Sequence, residues 1–136
     1  MKEYVLDANA VIRYLTHGPG IERLDRLFAE QRKEEAQLSI SVINLGEVLY
    51  TLAKRAEIQE AQRALQIVAR HVHSVHATEG HAAAAAGLKF TYKLGYADCF
   101  AAELAMRLGA TLVTADPDFA KLGKQLKVLA LPRYSG

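Results

Sequence analysis

The sequence of 136 residues contains a single cysteine, Cys99. It has no partner in the chain for a disulfide, and alone it cannot begin a cysteine-based zinc site. A surplus of charge is also missing: 17 Lys+Arg stand against 15 Asp+Glu, a formal net charge of +2. No strong overall field draws such a chain onto nucleic acid or membrane, so a basic surface has to be local. The longest apolar stretch near the middle, residues 82–88, is far too short to span a bilayer. Glu3 and Asp7 break the opening residues where a secretory signal needs an unbroken apolar run. Internal repeats, low-complexity linkers and Pro-rich hinges are absent, as are GxSxG, P-loop, GxGxxG and HExxH patterns. These absences lead to the expectation of a soluble cytoplasmic protein with no membrane partner, folded as one domain over residues 1–136.

What is present fits that expectation. Apolar residues make up 51% and charged residues 24%, a globular rather than a disordered balance. A chain of this length buries roughly two-thirds of the surface it exposes unfolded, enough for one core without staples.

Five short β-type runs occur, at residues 3–6 (EYVL), 38–41 (LSIS), 72–76 (VHSVH), 111–114 (TLVT) and 127–131 (KVLAL). Most mix β-branched and apolar residues as buried strands do. Helical spacing separates them. It links Leu24, Leu27 and Phe28; Val42, Leu45, Leu49 and Leu52; Ile58, Ala61, Leu65 and Val68; and Phe100, Leu104 and Leu108, where Gly109 is placed to close the helix. This alternation predicts an α/β fold with a mainly parallel sheet. Such a sheet gathers functional residues at the carboxyl ends of its strands.

Four acids map to that edge. Asp7 follows the first strand, Glu47 lies just inside the helix after the second, and Asp116 follows the fourth. Asp98 begins the helix that leads back to the fourth strand, so it too belongs at the carboxyl edge. Each has a structural explanation. Asp7 can cap a helix beginning near Ala8, and Asn44 with Glu47 has capping-box spacing. Asp98 can oppose a helix dipole, and Asp116 before Pro117 is a good N-cap. Together they are harder to explain, because carboxylates sharing a pocket repel by several kcal/mol unless cations or protons offset them. Oxygen ligands of this kind suit Mg²⁺ or Mn²⁺. A cation so held activates water and neutralises a phosphodiester, with no nucleophilic side chain required.

The blocks VLDAN, ISVINLGEVLYTLAKR and YADCFAAELAMRLGATLVTADPDF resemble, in order and spacing, the three motif blocks of PIN-domain proteins, especially VapC-type toxins. The resemblance implies a three-layer fold with a short central sheet flanked by helices. It implies a Mg²⁺- or Mn²⁺-dependent endoribonuclease, often dimeric and inhibited by a small antitoxin. Hydrolysis of RNA by such enzymes leaves a 5′-phosphate and a 3′-hydroxyl. On this resemblance Asp7, Glu47, Asp98 and Asp116 match the acidic catalytic positions. Asp7, Asp98 and Asp116 would hold the metal, while Asn9, Thr114 and, less directly, Asp118 would support them.

Three further features have competing explanations. His71, His73, His76 and His81 are read as solvent-facing residues at a strand's ends rather than a second metal site. Lys89, Tyr92, Lys93 and Tyr96, then Arg13 with Tyr14, then Lys121, Lys124 and Lys127 mix basic and aromatic groups of the kind that hold RNA, or form ordinary solvated faces. Val48 and Tyr50 offer a second helix face for another subunit or a partner's helix. Two other functions stay open on sequence grounds: a PIN-like RNA- or protein-binding module without turnover, and a Mg²⁺-dependent phosphatase. The latter expects a DxD pair where this chain has Asp7 and Asn9.

Overall fold

A computed structural model describes residues 1–133. Five strands form one sheet: β1 (Lys2–Leu6), β2 (Ala36–Ser41), β3 (Val72–Val75), β4 (Thr111–Thr114) and β5 (Lys127–Ala130). Their order is β3-β2-β1-β4-β5, and every pairing is parallel. Parallel neighbours need crossover connections. These are supplied by α1 (Ala8–Thr16), α2 (Ile21–Arg32), α3 (Val42–Arg55), α4 (Ile58–Val68), α5 (Glu79–Tyr92) and α6 (Tyr96–Leu108), and by a 3-10 segment, Pro117–Gln125.

Side chains alternate across the sheet, and the alternation builds two cores. Leu6 of β1 and Val113 of β4 join Val11, Leu24, Phe28, Val48 and Val68 from α1 to α4. Their chain neighbours Val5 and Leu112 join Ala85, Phe100, Leu104 and Phe119 from α5, α6 and the 3-10 segment. The result is three layers, helices on both faces of a parallel sheet. Val48 therefore belongs to the core and not to a free face, whereas Tyr50 is exposed beneath the Lys54 ammonium, 4.6 Å from its ring centre. Among the described residues no helix is long and apolar enough to cross a membrane.

Several local expectations change. β3 stops at Val75, so His76 lies beyond it. Asn44 and Glu47 do not form a capping box. Ser41, the last residue of β2, already caps α3, its Oγ accepting from the Ile43 amide at 3.2 Å. Helix α5 was not foreshadowed by periodicity, because its alanine run has no polar face to alternate with. Alanine propensity and a capping box between Thr78 and His81 build it instead. Gly109 closes α6 in the left-handed region (φ 63°), as its position predicts.

Of the histidines from His71 to His81, His73 and His76 face solvent. His71 is half-buried. Its Nδ1 lies 3.0 Å from Gln31 Oε1, and its ring meets Phe28 edge-on. His81 serves the α5 cap.

Candidate active site

Asp7 follows β1 in extended conformation and caps α1, its Oδ1 accepting from the Ala8 amide at 3.0 Å. Oδ2 accepts from Thr114 Oγ1 at 2.8 Å and from Asn9 Nδ2 at 3.1 Å. Asn9 gives its other amide hydrogen to Thr114 Oγ1 at 3.2 Å, and its Oδ1 accepts from the Ala115 amide at 3.0 Å. Thr114 Oγ1 also accepts from the Asp116 amide at 3.0 Å. The network ties the ends of β1 and β4, which are neighbours in the sheet. It uses both hydrogens of Asn9 and the full capacity of the Thr114 hydroxyl.

Asp7, Asn9, Glu47, Thr51 and Asp98 line a cleft of about 200 Å³. Glu47 projects from α3 and Asp98 from the first turn of α6. Asp116 caps the 3-10 segment, its Oδ1 accepting from the Asp118 amide at 2.9 Å. Asp116 and Asp118 stand beside the cleft lining, and their charges reach Asp98. A larger cleft of about 520 Å³ lies at the amino ends of the strands, among Gln31, Arg70, His71 and His73. It is the roomier of the two but lacks a comparable acid cluster, so chemistry rather than volume selects the carboxyl edge.

The acids perturb one another. Asp7 is pushed up to about 7, first by burial and then by the charges of Asp98 and Glu47. The Thr114 and Ala8 hydrogen bonds act in the opposite direction. Asp98 is pushed up to about 6, first by burial and then by Asp116, Glu47 and Asp118. Burial and the Asp98 charge raise the neighbouring Cys99 thiol as well. That removes it as a thiolate nucleophile.

The donor set fits a hard divalent cation. Asp7 keeps a free lone pair on Oδ1, and each carboxylate charge raises the cost of the others until a cation offsets it. Among the described residues, no group of three or more His, Cys, Asp or Glu side chains stands close enough to hold a metal ion directly. The acids form an open charge cluster, which suits an ion that retains several waters.

Sequence reasoning passed over two residues at this site. Asn44 lies inside α3 and is fully buried; its Nδ2 donates to Glu47 Oε1 at 2.9 Å and to Ala97 O at 3.0 Å. Its position three residues before Glu47 was visible, but the spacing suggested a cap. Gly95 precedes α6 with φ −60° and ψ 145°, a conformation open to any residue. A Cβ there would lie 3.0 Å from Asp98 Oδ2, so the glycine leaves room for that carboxylate. Sequence offered no signal for this.

The basic and aromatic clusters divide. Arg13 is buried and donates to Pro19 O at 3.2 Å and to Pro132 O. Tyr14 stacks on Phe28 with ring centres 3.7 Å apart. This pair fastens α1 to its surroundings. Tyr92 OH accepts from Gln125 Nε2 at 2.6 Å, and Lys89 Nζ donates to Leu94 O at 3.1 Å. Lys93, Lys121, Lys124 and Lys127 are exposed.

A family model of the PIN domain matches residues 4–125. The chain belongs to the PIN-domain family. Its fold is also that of solved toxin–antitoxin proteins. DNA-bound VapBC from Salmonella typhimurium matches at a TM-score of 0.76 and 18% identity, covering 96% of this chain and 98% of that one. VapBC2 from Rickettsia felis, bound to a promoter DNA fragment, matches at 0.74 and 20%, with 95% and 98% covered. VapC20 from Mycobacterium tuberculosis, a sarcin–ricin-loop-cleaving toxin, matches at 0.72 and 19%, with 88% and 95% covered. No curated protein matches the sequence. At these identities the likeness establishes the architecture of this PIN-domain chain, and its chemistry has to be argued from its own residues.

Proposed function

We propose that this PIN-domain protein is a divalent-metal-dependent endoribonuclease and the toxin of a toxin–antitoxin pair. One observation carries the reading. Asp7, Glu47 and Asp98 converge on one cleft, and Asp7 is pushed up to about 7, an arrangement that opposes folding at neutral pH unless a cation binds there. The VapBC structures supply the partner class, a small antitoxin. Exposed Ile43, Tyr50, Ile58 and Ile67 on α3 and α4 are apolar groups of the kind a partner helix covers.

In this mechanism Asp7, Asp98 and Asp116 would hold Mg²⁺ or Mn²⁺. Such a cation would supply a lowered water pKa and charge neutralisation at the scissile phosphate. Thr114 and Asn9 fix the Asp7 carboxylate through Oδ2, which leaves one lone pair on Oδ1 for a ligand. Glu47 orients the attacking water and accepts its proton. In-line displacement then leaves a 5′-phosphate and a 3′-hydroxyl. Asp118 adds negative charge beside Asp98 and strengthens cation binding from outside the cleft.

The test is purified protein with total RNA, with Mn²⁺, with Mg²⁺ and with excess chelator, followed by sequencing of the new ends. Metal-dependent cuts with 5′-phosphate ends support the proposal. RNA that is bound but uncut in both metals indicates the interaction module instead, and cutting that survives chelator rejects the metal mechanism.

A further inference from the structure

The geometry points to Asn44 as a positioning residue that fixes the Glu47 carboxylate against the first turn of α6, where Asp98 stands. The geometric part rests on packing alone; its consequence for turnover rests on the nuclease reading above. Asn44 is 0% exposed. Both hydrogens of its Nδ2 are used, one on Glu47 Oε1 and one on Ala97 O, the residue before Asp98. Turning the amide over would set its oxygen against two acceptors, so only one orientation works.

The fold alone does not call for asparagine here. Ser41 already caps α3, and asparagine is a weak helix former. Val48, one turn later, is apolar and fully buried, so an apolar residue suits this side of the helix. Asn44 Oδ1 is buried with no hydrogen-bond partner, which is a cost to stability. What the side chain provides is a bridge between α3 and α6, the two helices that carry Glu47 and Asp98. Glu47 shares the lining of one cleft with Asp7 and Asp98, and like charges so placed repel. A buried donor at 2.9 Å opposes that repulsion and holds the carboxylate at the cleft.

The experiment pairs crystal structures with kinetics for Asn44→Leu, which is close to asparagine in shape, and Asn44→Ala, which serves if leucine fails to fold. In both structures the Glu47 carboxylate should leave its place in the cleft lining or spread over several rotamers. With Mn²⁺ and an oligoribonucleotide spanning a site the wild type cuts, kcat should fall about 10- to 100-fold. KM should stay within about twofold, because the buried amide touches no substrate. Melting temperature should change by only a few degrees. In a Glu47→Ala background the same substitutions should cost less than about twofold more. A Glu47 carboxylate unmoved in the variant structures overturns the proposal, as does a loss that adds in full to that of Glu47→Ala. If wild type cuts no RNA in either metal, the nuclease reading fails, and the crystal structures alone decide the role of Asn44.

Discussion

Removing one negative charge from the cleft should make the metal-free protein more stable. The substitution is Asp98→Asn, which keeps the shape and deletes the charge. Asp98 rises from an ordinary 3.8 to about 6, and a rise of that size corresponds to about 3 kcal/mol against the folded state for a fully buried group. Asp98 is only half-buried, so solvent screening reduces this to about 1.5 kcal/mol. One opposing effect has to be subtracted. Asp98 sits in the first turn of α6, where a carboxylate favours the helix by about 0.3–1 kcal/mol. Burial and the neighbouring charges together still outweigh it, and the net gain of about 1 kcal/mol amounts to about 3–5 °C in Tm.

The sign fixes the pH dependence. A carboxyl group whose pKa is raised on folding binds more protons in the native state than in the unfolded one, so its ionisation destabilises the fold as pH rises. For Asp98 the cost develops between 3.8 and about 6 and is complete above that. The advantage of Asp98→Asn should therefore be full at about pH 8, shrink as pH falls through about 6, and vanish near pH 4. The assay is thermal melting in chelator across this range at low ionic strength. A variant that melts below wild type at pH 8, with a gap that does not change on acidification, would refute the cost assigned to a buried carboxylate among like charges and leave Asp98 as a helix-start residue only.

Four other outcomes are expected. Mn²⁺ should raise the melting temperature of wild type, by about 2.7 kcal/mol equivalent at a hundredfold excess over Kd, and should raise that of Asp98→Asn less. Gly95→Ala should fold but cleave RNA poorly, since the new Cβ presses on Asp98 Oδ2 from 3.0 Å; unchanged cleavage would remove the space argument. Thr114→Val should push Asp7 above its present value of about 7, because the hydrogen bond that holds it down is lost. Urea titration should then show about 1–3 kcal/mol less stability from the stranded Asn9 and Asp116 donors. Asp25→Asn, exposed on α2, should alter stability by less than about 0.5 kcal/mol and leave cleavage intact, which two assays on one preparation can check.

The parts of this fold legible in the sequence are those written in period and punctuation. β1, β2 and β4 announce themselves as short apolar runs, and Gly109 marks the end of α6 because only the left-handed region closes the helix there. Helix α5 was hidden because its alanines carry no amphipathic period. Asn44 was misread for a more general reason. Three-residue spacing to Glu47 is shared by capping boxes and by buried helix positions, and only the identity of the true cap, Ser41, separates them. Arg13 was open to two readings, an RNA contact or a solvated face, and is instead a buried clamp on the Pro19 and Pro132 carbonyls. A side chain with five donors serves either purpose, and sequence does not say which carbonyls come near.

The cleft also shows that the capping and the metal explanations of its acids are compatible. Asp7 caps α1, Asp98 occupies the first turn of α6, and Asp116 caps the 3-10 segment. A parallel sheet crossed by helices directs these amino-terminal ends to one edge, and each end carries partial positive charge that favours a nearby carboxylate by about 0.3–1 kcal/mol. Topology thus favours acids at this edge individually and opposes them together, since Asp7 feels Asp98 and Glu47, and Asp98 feels Asp116 and Glu47. The balance can be read at Asp7. It has a capping amide at 3.0 Å and a hydroxyl at 2.8 Å, both of which favour the anion, yet burial and the neighbouring charges still raise it to about 7. Local capping therefore fails to neutralise the cluster, and the remaining negative potential is the quantity a divalent cation would meet.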